Sequence, residues 1–221
     1  MSPQQRTITT PLVVDGLSVR VAMFLNPYHE DVISSERLYG MIVEAAAEMA
    51  SRIARRYHSG RYDKQSLASF IMDPTMPVGA LPDTRYIMAA VLIGPAAEGL
   101  LQNAWGKIVK HMKTGQDCGV AVFVQPHRMG KGDFNWGMTA QLDGTLGGGS
   151  GLNQFQDKAE VVSLIADINE AVSTEVAQWE RTHLQPVGKR PSWHTGNGTH
   201  GDKFKEILTL RPIMGEYVHA A

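Results

Sequence analysis

The chain has 221 residues, 43% of them hydrophobic, with 21 basic and 22 acidic side chains and a formal net charge of −1. That length buries a substantial core in one or two domains, one being expected, and the near-zero charge supplies no global pull toward nucleic acid or an acidic lipid surface. A single cysteine, Cys118, excludes an internal disulfide, the N-terminus has no signal-peptide pattern, and no apolar run is long enough for a bilayer, so a soluble cytoplasmic protein without a membrane partner is expected.

Thr7 to Leu25 reads as a hairpin, because Asp15-Gly16 supplies a tight turn and Leu17, Val19, Val21, Met23 and Leu25 alternate with other residues. Ser34 or Ser35 caps a helix over about 36–57, whose apolar stripe is Leu38, Ile42, Ala45, Met49 and Ile53 and whose stop is Gly60. A shorter helix is expected from Lys64 to Met72. Asp73 to Asp83 carries three prolines and is the best linker candidate of the first half.

Arg85 to Gly94 is apolar along nearly its whole length, as in a strand covered on both faces, and Gly94-Pro95 opens a helix to about Thr114. Ala97, Leu101, Ala104, Ile108 and Met112 form its stripe. Lys107, Lys110, His111 and Lys113 fall in its last turns, where positive charge complements the carbonyl end. Cys118 to Gln125 and Asp133 to Leu142 then read as a second hairpin with the basic tip Pro126 to Gly132.

Five glycines in the eight residues Gly144 to Gly151 precede a helix of about 28 residues starting at Asn153, where Gln156 completes a near capping box. Its apolar stripe is Phe155, Val162, Ile165, Ile168, Val172, Val176 and Trp179. Seven acids and one base between Leu142 and Glu180 make its outer face acidic. Past His183 the chain is rich in Gly, Pro, His and Thr, with a return to strand near Phe204 to His219.

These elements predict an α+β fold: a mixed or largely antiparallel sheet with two major helices and one long helix packed on one face, three-layer α/β being the alternative. Residues 1–183 form a single domain, and 184–221 pack on it as an irregular loop and C-terminal strands.

The glycine-rich loop is read mainly as a mobile joint, since neither a Walker sequence nor a clean dinucleotide spacing is present. Glycine amides before a helix can nonetheless cradle an anion. The leading functional reading is therefore an oligomeric ligand-binding protein taking a small anionic molecule near Gly147, Gly148, Gly149, Ser150, His127, Arg128 and Lys131. Homo-oligomerisation rests on the length of the last helix, with Trp179 as its marker, and an assembly protein built on it is the first alternative.

Single-stranded nucleic-acid binding is the second, through Arg55, Arg56, Arg61, Arg128 and Lys131 with Trp136 as a stacking surface. His194, His200 and Asp202 carry metal-ligand chemistry but sit on an irregular stretch that does not converge them, so no metal is assigned. No Ser-His-Asp order, paired carboxylates or HExxH pattern is visible, so no catalytic residue or cofactor is assigned.

Overall fold

The computed structural model describes residues 7–8, 11–77, 79–117, 119, 127 and 137–183. Within them β1 (Thr7–Ile8), β2 (Leu12–Val14), β3 (Leu17–Met23), β4 (Leu67–Met72), β5 (Ile87–Ile93), β6 (Thr139–Leu142) and β7 (Thr145–Ser150) form one sheet, ordered β1-β3-β5-β4-β7-β6, with β2 also on β3. Every pairing among the described strands is antiparallel. Among the described residues three α-helices, α1 (Ser35–His58), α2 (Leu101–Thr114) and α3 (Gln154–His183), complete the α+β fold.

The hairpin expected at Asp15-Gly16 forms, the one expected over Cys118 to Leu142 lies largely outside the described residues, and β6 turns instead into β7 at Asp143-Gly144. Asp15 and Gly16 have φ of 46° and 82°, Asp143 and Gly144 of 48° and 83°, the left-handed pair whose twist matches the strands it joins. Ser34 caps α1 by accepting the amide of Arg37 at 3.2 Å, and Leu38, Ile42, Ala45, Met49 and Ile53 are all buried.

The expected short helix from Lys64 to Met72 is instead strand β4. Its six residues lie between β5 and β7 and are covered on both faces, so the apolar run carries no alternation to betray a strand. Asp73 to Asp83 consequently joins two neighbouring strands of one sheet, β4 and β5, and is no domain linker.

The larger correction concerns the glycines. Gly147, Gly148 and Gly149 are the middle of β7, a buried strand hydrogen-bonded to β4 with β6 on its other side, and are neither a loop nor a joint. A Cβ on Gly147 or Gly149 would stand 2.6 or 2.5 Å from Val161 of α3, and one on Gly148 would stand 2.6 Å from the Ala104 carbonyl of α2. Successive residues of a strand face opposite ways, so α3 lies on one face and α2 on the other, each at the closest approach a backbone permits.

The helices thus cover both faces of the sheet rather than the one face expected, because the side-chain-free middle of β7 admits a helix on each side. Salt bridges from Arg37 and Arg52 to Glu175 and Asp167 place α1 in the same layer as α3. On the α2 face Met72, Ile87, Ile108 and Leu146 form a core cluster flanked by Phe70 and Trp105, whose rings meet edge to face at 6.1 Å.

The chain divides into two compact units, 1–175 and 176–221. The first holds the sheet, α1, α2 and most of α3. Of the second, the described residues are the end of α3, where the Trp179 ring stacks on His183 at 5.1 Å. The expected irregular segment 184–221 lies outside the described residues.

Candidate functional site

Helix α2 buries Ala104, Lys107, Ile108, Lys110 and His111 along one face. Two of these are apolar, as a helix on a sheet requires, and three carry polar or ionisable heads that an ordinary core would replace with Leu or Ile. Lys107 and His111 reach the place where pairing between β6 and β7 ends, at Thr139 opposite Gly148.

One residue past that pairing, the Gly149 carbonyl accepts a hydrogen bond from Lys107 Nζ at 2.6 Å. The same ammonium donates to Asp157 Oδ2 of α3 at 2.8 Å, so Lys107 joins the two helical layers around the end of β6. Lys107 is 2% exposed and Asp157 3%. The other oxygen of Asp157 accepts the Leu152 amide at 2.9 Å. Burial pushes the Asp157 carboxyl above the usual range, while Lys107 and the Leu152 amide pull it back.

One turn of α2 further on, His111 Nδ1 lies 2.7 Å from Thr139 Oγ1 of β6. Burial lowers the imidazole pKa; Asp117 opposes this, and Lys158 adds to it. Asp117 is the hub on this side. One of its oxygens accepts the amides of Gly119 at 2.8 Å and Thr139 at 3.2 Å, and the other meets the ammonium of Lys158 from α3. The Lys158 side chain is 40% exposed and Gln141 is exposed, so the cluster runs from a dry end at Lys107 to a wet end at Lys158.

A second charged cluster lies in the α1–α3 layer. Glu160 is fully buried and receives Arg52 at 3.3 Å, the Tyr62 hydroxyl at 2.8 Å and the guanidinium of Arg56. Arg52 also reaches Asp167 at 2.9 Å. Burial, then the hydrogen bond to Glu160, raises the Tyr62 pKa.

These contacts correct two expectations about charge. Lys107, Lys110 and His111 are not a solvated complement to a helix end, and Asp157 and Glu160 do not belong to an outer acidic face. The buried face of α3 is Asp157, Glu160, Val161, Leu164, Ile165, Ile168 and Val172, whereas Phe155, expected in the stripe, is 64% exposed. A signal for both clusters was present in the spacing: 104, 107, 108, 111 and 157, 160, 161, 164 are each one helical face on which charges stand between apolar residues.

Of the residues expected to bind an anion, Gly147, Gly148, Gly149 and Ser150 are buried in β7 and His127 is exposed; Arg128 and Lys131 lie outside the described residues. Of those expected to contact nucleic acid, Arg55 donates to Ser51 at 2.8 Å, Arg56 is held by Glu160, and Arg61 is exposed. Trp136 lies outside the described residues, as do His194, His200 and Asp202. Among the described residues no group of three or more His, Cys, Asp and Glu side chains is placed to hold a metal, and no helix is long and apolar enough to cross a membrane.

Comparison of the chain with protein-family models, curated proteins and solved structures returns no match.

Proposed function

We propose that this protein binds a small anionic molecule at the α2 rim, through the wet end of the cluster that Lys158, His111, Thr139 and Gln141 form. The observation that carries the reading is the burial of Lys107, Lys110 and His111 on one face of α2. Removing an ion from water costs several kcal/mol even in a relaxed protein interior, and well-packed apolar residues would be at least as stable there. Groups with shifted ionisation cluster where a protein does chemistry or binding, and this rim brings Asp157 and His111 together with accessible charge.

The reading keeps the anionic ligand expected from the sequence and moves its seat from the glycines of β7 to the side chains beside them. A cytosolic location and homo-oligomeric assembly belong to the same proposal. The first is supported by the single cysteine, the second by the 30 residues of α3.

Thermal unfolding in sulfate, phosphate or a dicarboxylate, against chloride at equal ionic strength, tests the site. A ligand that binds only the native state raises its stability by RT ln(1 + [L]/Kd), about 2.7 kcal/mol at a hundredfold excess over Kd. The wild type gains stability with at least one of these anions and Lys158→Gln loses that gain. An equal gain in both proteins, or none in either, refutes the site.

A further inference from the structure

We infer that the rim site binds a tetrahedral oxyanion of the sulfate or phosphate type with uptake of one proton on His111, so that its occupancy follows pH. The inference rests on the anion-binding reading above and adds the ligand's shape and charge and the group that answers it.

The charges around the imidazole set the requirement. Its buried neighbours along α2 are Lys107 and Lys110, and it is met from the chain after α2 by Asp117, from β6 by Thr139 and Gln141, and from α3 by Lys158. Lys107 is committed to Asp157 and to the Gly149 carbonyl. Among the described residues around the ring Lys158 is the accessible cation, and Asp117 holds it.

An incoming anion competes with Asp117 for Lys158, and the geometry permits that exchange. The Asp117 carboxylate keeps two backbone donors, Gly119 at 2.8 Å and Thr139 at 3.2 Å, so losing the ammonium does not strand it without partners. A doubly charged oxyanion beside Lys158 alone leaves one negative charge unbalanced at a half-dry rim. Among the described residues His111 can supply the second positive charge, and as imidazolium it donates from both ring nitrogens, toward Thr139 Oγ1 and the Gln141 side chain, where the neutral ring donates from one.

Burial disfavours the charged ring and Lys158 adds to this, while Asp117 and the hydrogen bond with Gln141 work against it. A dianion a few ångströms away favours the charged form, and linkage makes the effect reciprocal: whatever the anion does to proton affinity, the proton does to anion affinity.

Isothermal titration calorimetry with sodium sulfate tests this, because sulfate keeps its double charge between about pH 5.5 and 8, where histidine titrates. Ionic strength is held with chloride, and each pH is measured in two buffers of different ionisation enthalpy, which counts protons taken up. In the wild type, one proton is absorbed per sulfate at the upper end of that range, and Kd weakens toward about tenfold per pH unit as pH rises. His111→Gln binds weakly at every pH with no proton uptake.

Sulfate binding with the same Kd at all pH values and no proton count overturns the inference while leaving the anion site standing. Absence of sulfate binding at every pH overturns the inference, and the anion site falls with it only if phosphate and the dicarboxylate also leave the wild type unstabilised. The proton count on the wild type needs no variant, so the test survives if His111→Gln fails to fold. Phosphate run in parallel distinguishes a site for any tetrahedral dianion from one selective for phosphoryl groups.

Discussion

Asp157 and Glu160 stand on one face of α3, both out of water, and they are satisfied in opposite ways. Glu160 is surrounded: two guanidinium groups and a phenol converge on it, and Arg56, the partner nearest water, has a side chain 38% exposed. Asp157 has one buried ammonium and one backbone amide, and Lys107 has no route back to water. Glu160 belongs to a seam that ties α1 to α3. Asp157 belongs to a cluster that grades outward through His111 and Asp117 to Lys158. The contrast shows that buried charge alone does not mark a site. Both clusters reach exposed groups, Arg56 and Asp167 on one side and Lys158 on the other; what sets the proposed site apart is that its dry pair has few partners.

The strongest test of the contrast is to remove one ion from each cluster. Lys107→Met leaves the Asp157 carboxylate buried with one amide, and breaking a buried pair from one side costs about 3–5 kcal/mol. The loss depends on pH in a definite direction. A carboxyl whose pKa is raised in the folded state holds its proton more tightly there, so its contribution favours folding at low pH and fades as pH rises through the folded pKa. The penalty of Lys107→Met is therefore larger at neutral pH than in mild acid. Adding Asp157→Asn, which keeps an oxygen for the Leu152 amide, restores stability to within about 1–2 kcal/mol of wild type. Urea unfolding of the two single variants and the double reads this directly, and a double variant as unstable as Lys107→Met contradicts the pairing.

Gly148→Ala is the next largest. Its methyl meets the Ala104 carbonyl, a backbone atom that cannot swing away, and the cost is about 3 kcal/mol, the upper end for overpacking. A joint between elements would accept the same change with little effect, so denaturant unfolding of this one variant separates a strand from a hinge. It also bears on the site, since displacing α2 from β7 moves Lys107 and His111 together.

Glu160→Gln costs less, about 2 kcal/mol by the same measurement, although its partners outnumber those of Asp157. The amide keeps one acceptor, and Arg56 can turn to solvent. Anion binding at the α2 rim is expected to survive this change. A larger loss than that of Lys107→Met reverses the ranking of the two clusters.

The smallest effect is expected at Asn153, whose side chain accepts the amides of Phe155 at 3.1 Å and Gln156 at 3.0 Å while Gln156 returns a contact to the Asn153 amide. Asn153→Ala removes this cap from the helix that presents both acids, for about 1 kcal/mol. A shift in the melting temperature without loss of anion binding places Asn153 in the scaffold rather than the site.

Much of this architecture is written locally, and the sequence by itself determined it. The Asp15-Gly16 turn, the Ser34 and Asn153 caps and the period of α1 depend on residues within a few positions of one another, so they can be read without knowing what they pack against. The α+β class follows from their order.

Three things were decided only by tertiary contact. β4 is a strand because β5 and β7 flank it, and its continuous apolar run suits a buried helix segment equally well in isolation. The glycines of β7 are a strand because two helices press on its two faces; side-chain absence is the message there, and absence looks the same in a flexible loop. The charges of Lys107, Asp157 and Glu160 are buried because partners 50 and 108 positions away in sequence arrive beside them. Local pattern assigns a charged residue to water, and only a counter-charge brought by the fold can make burial tolerable.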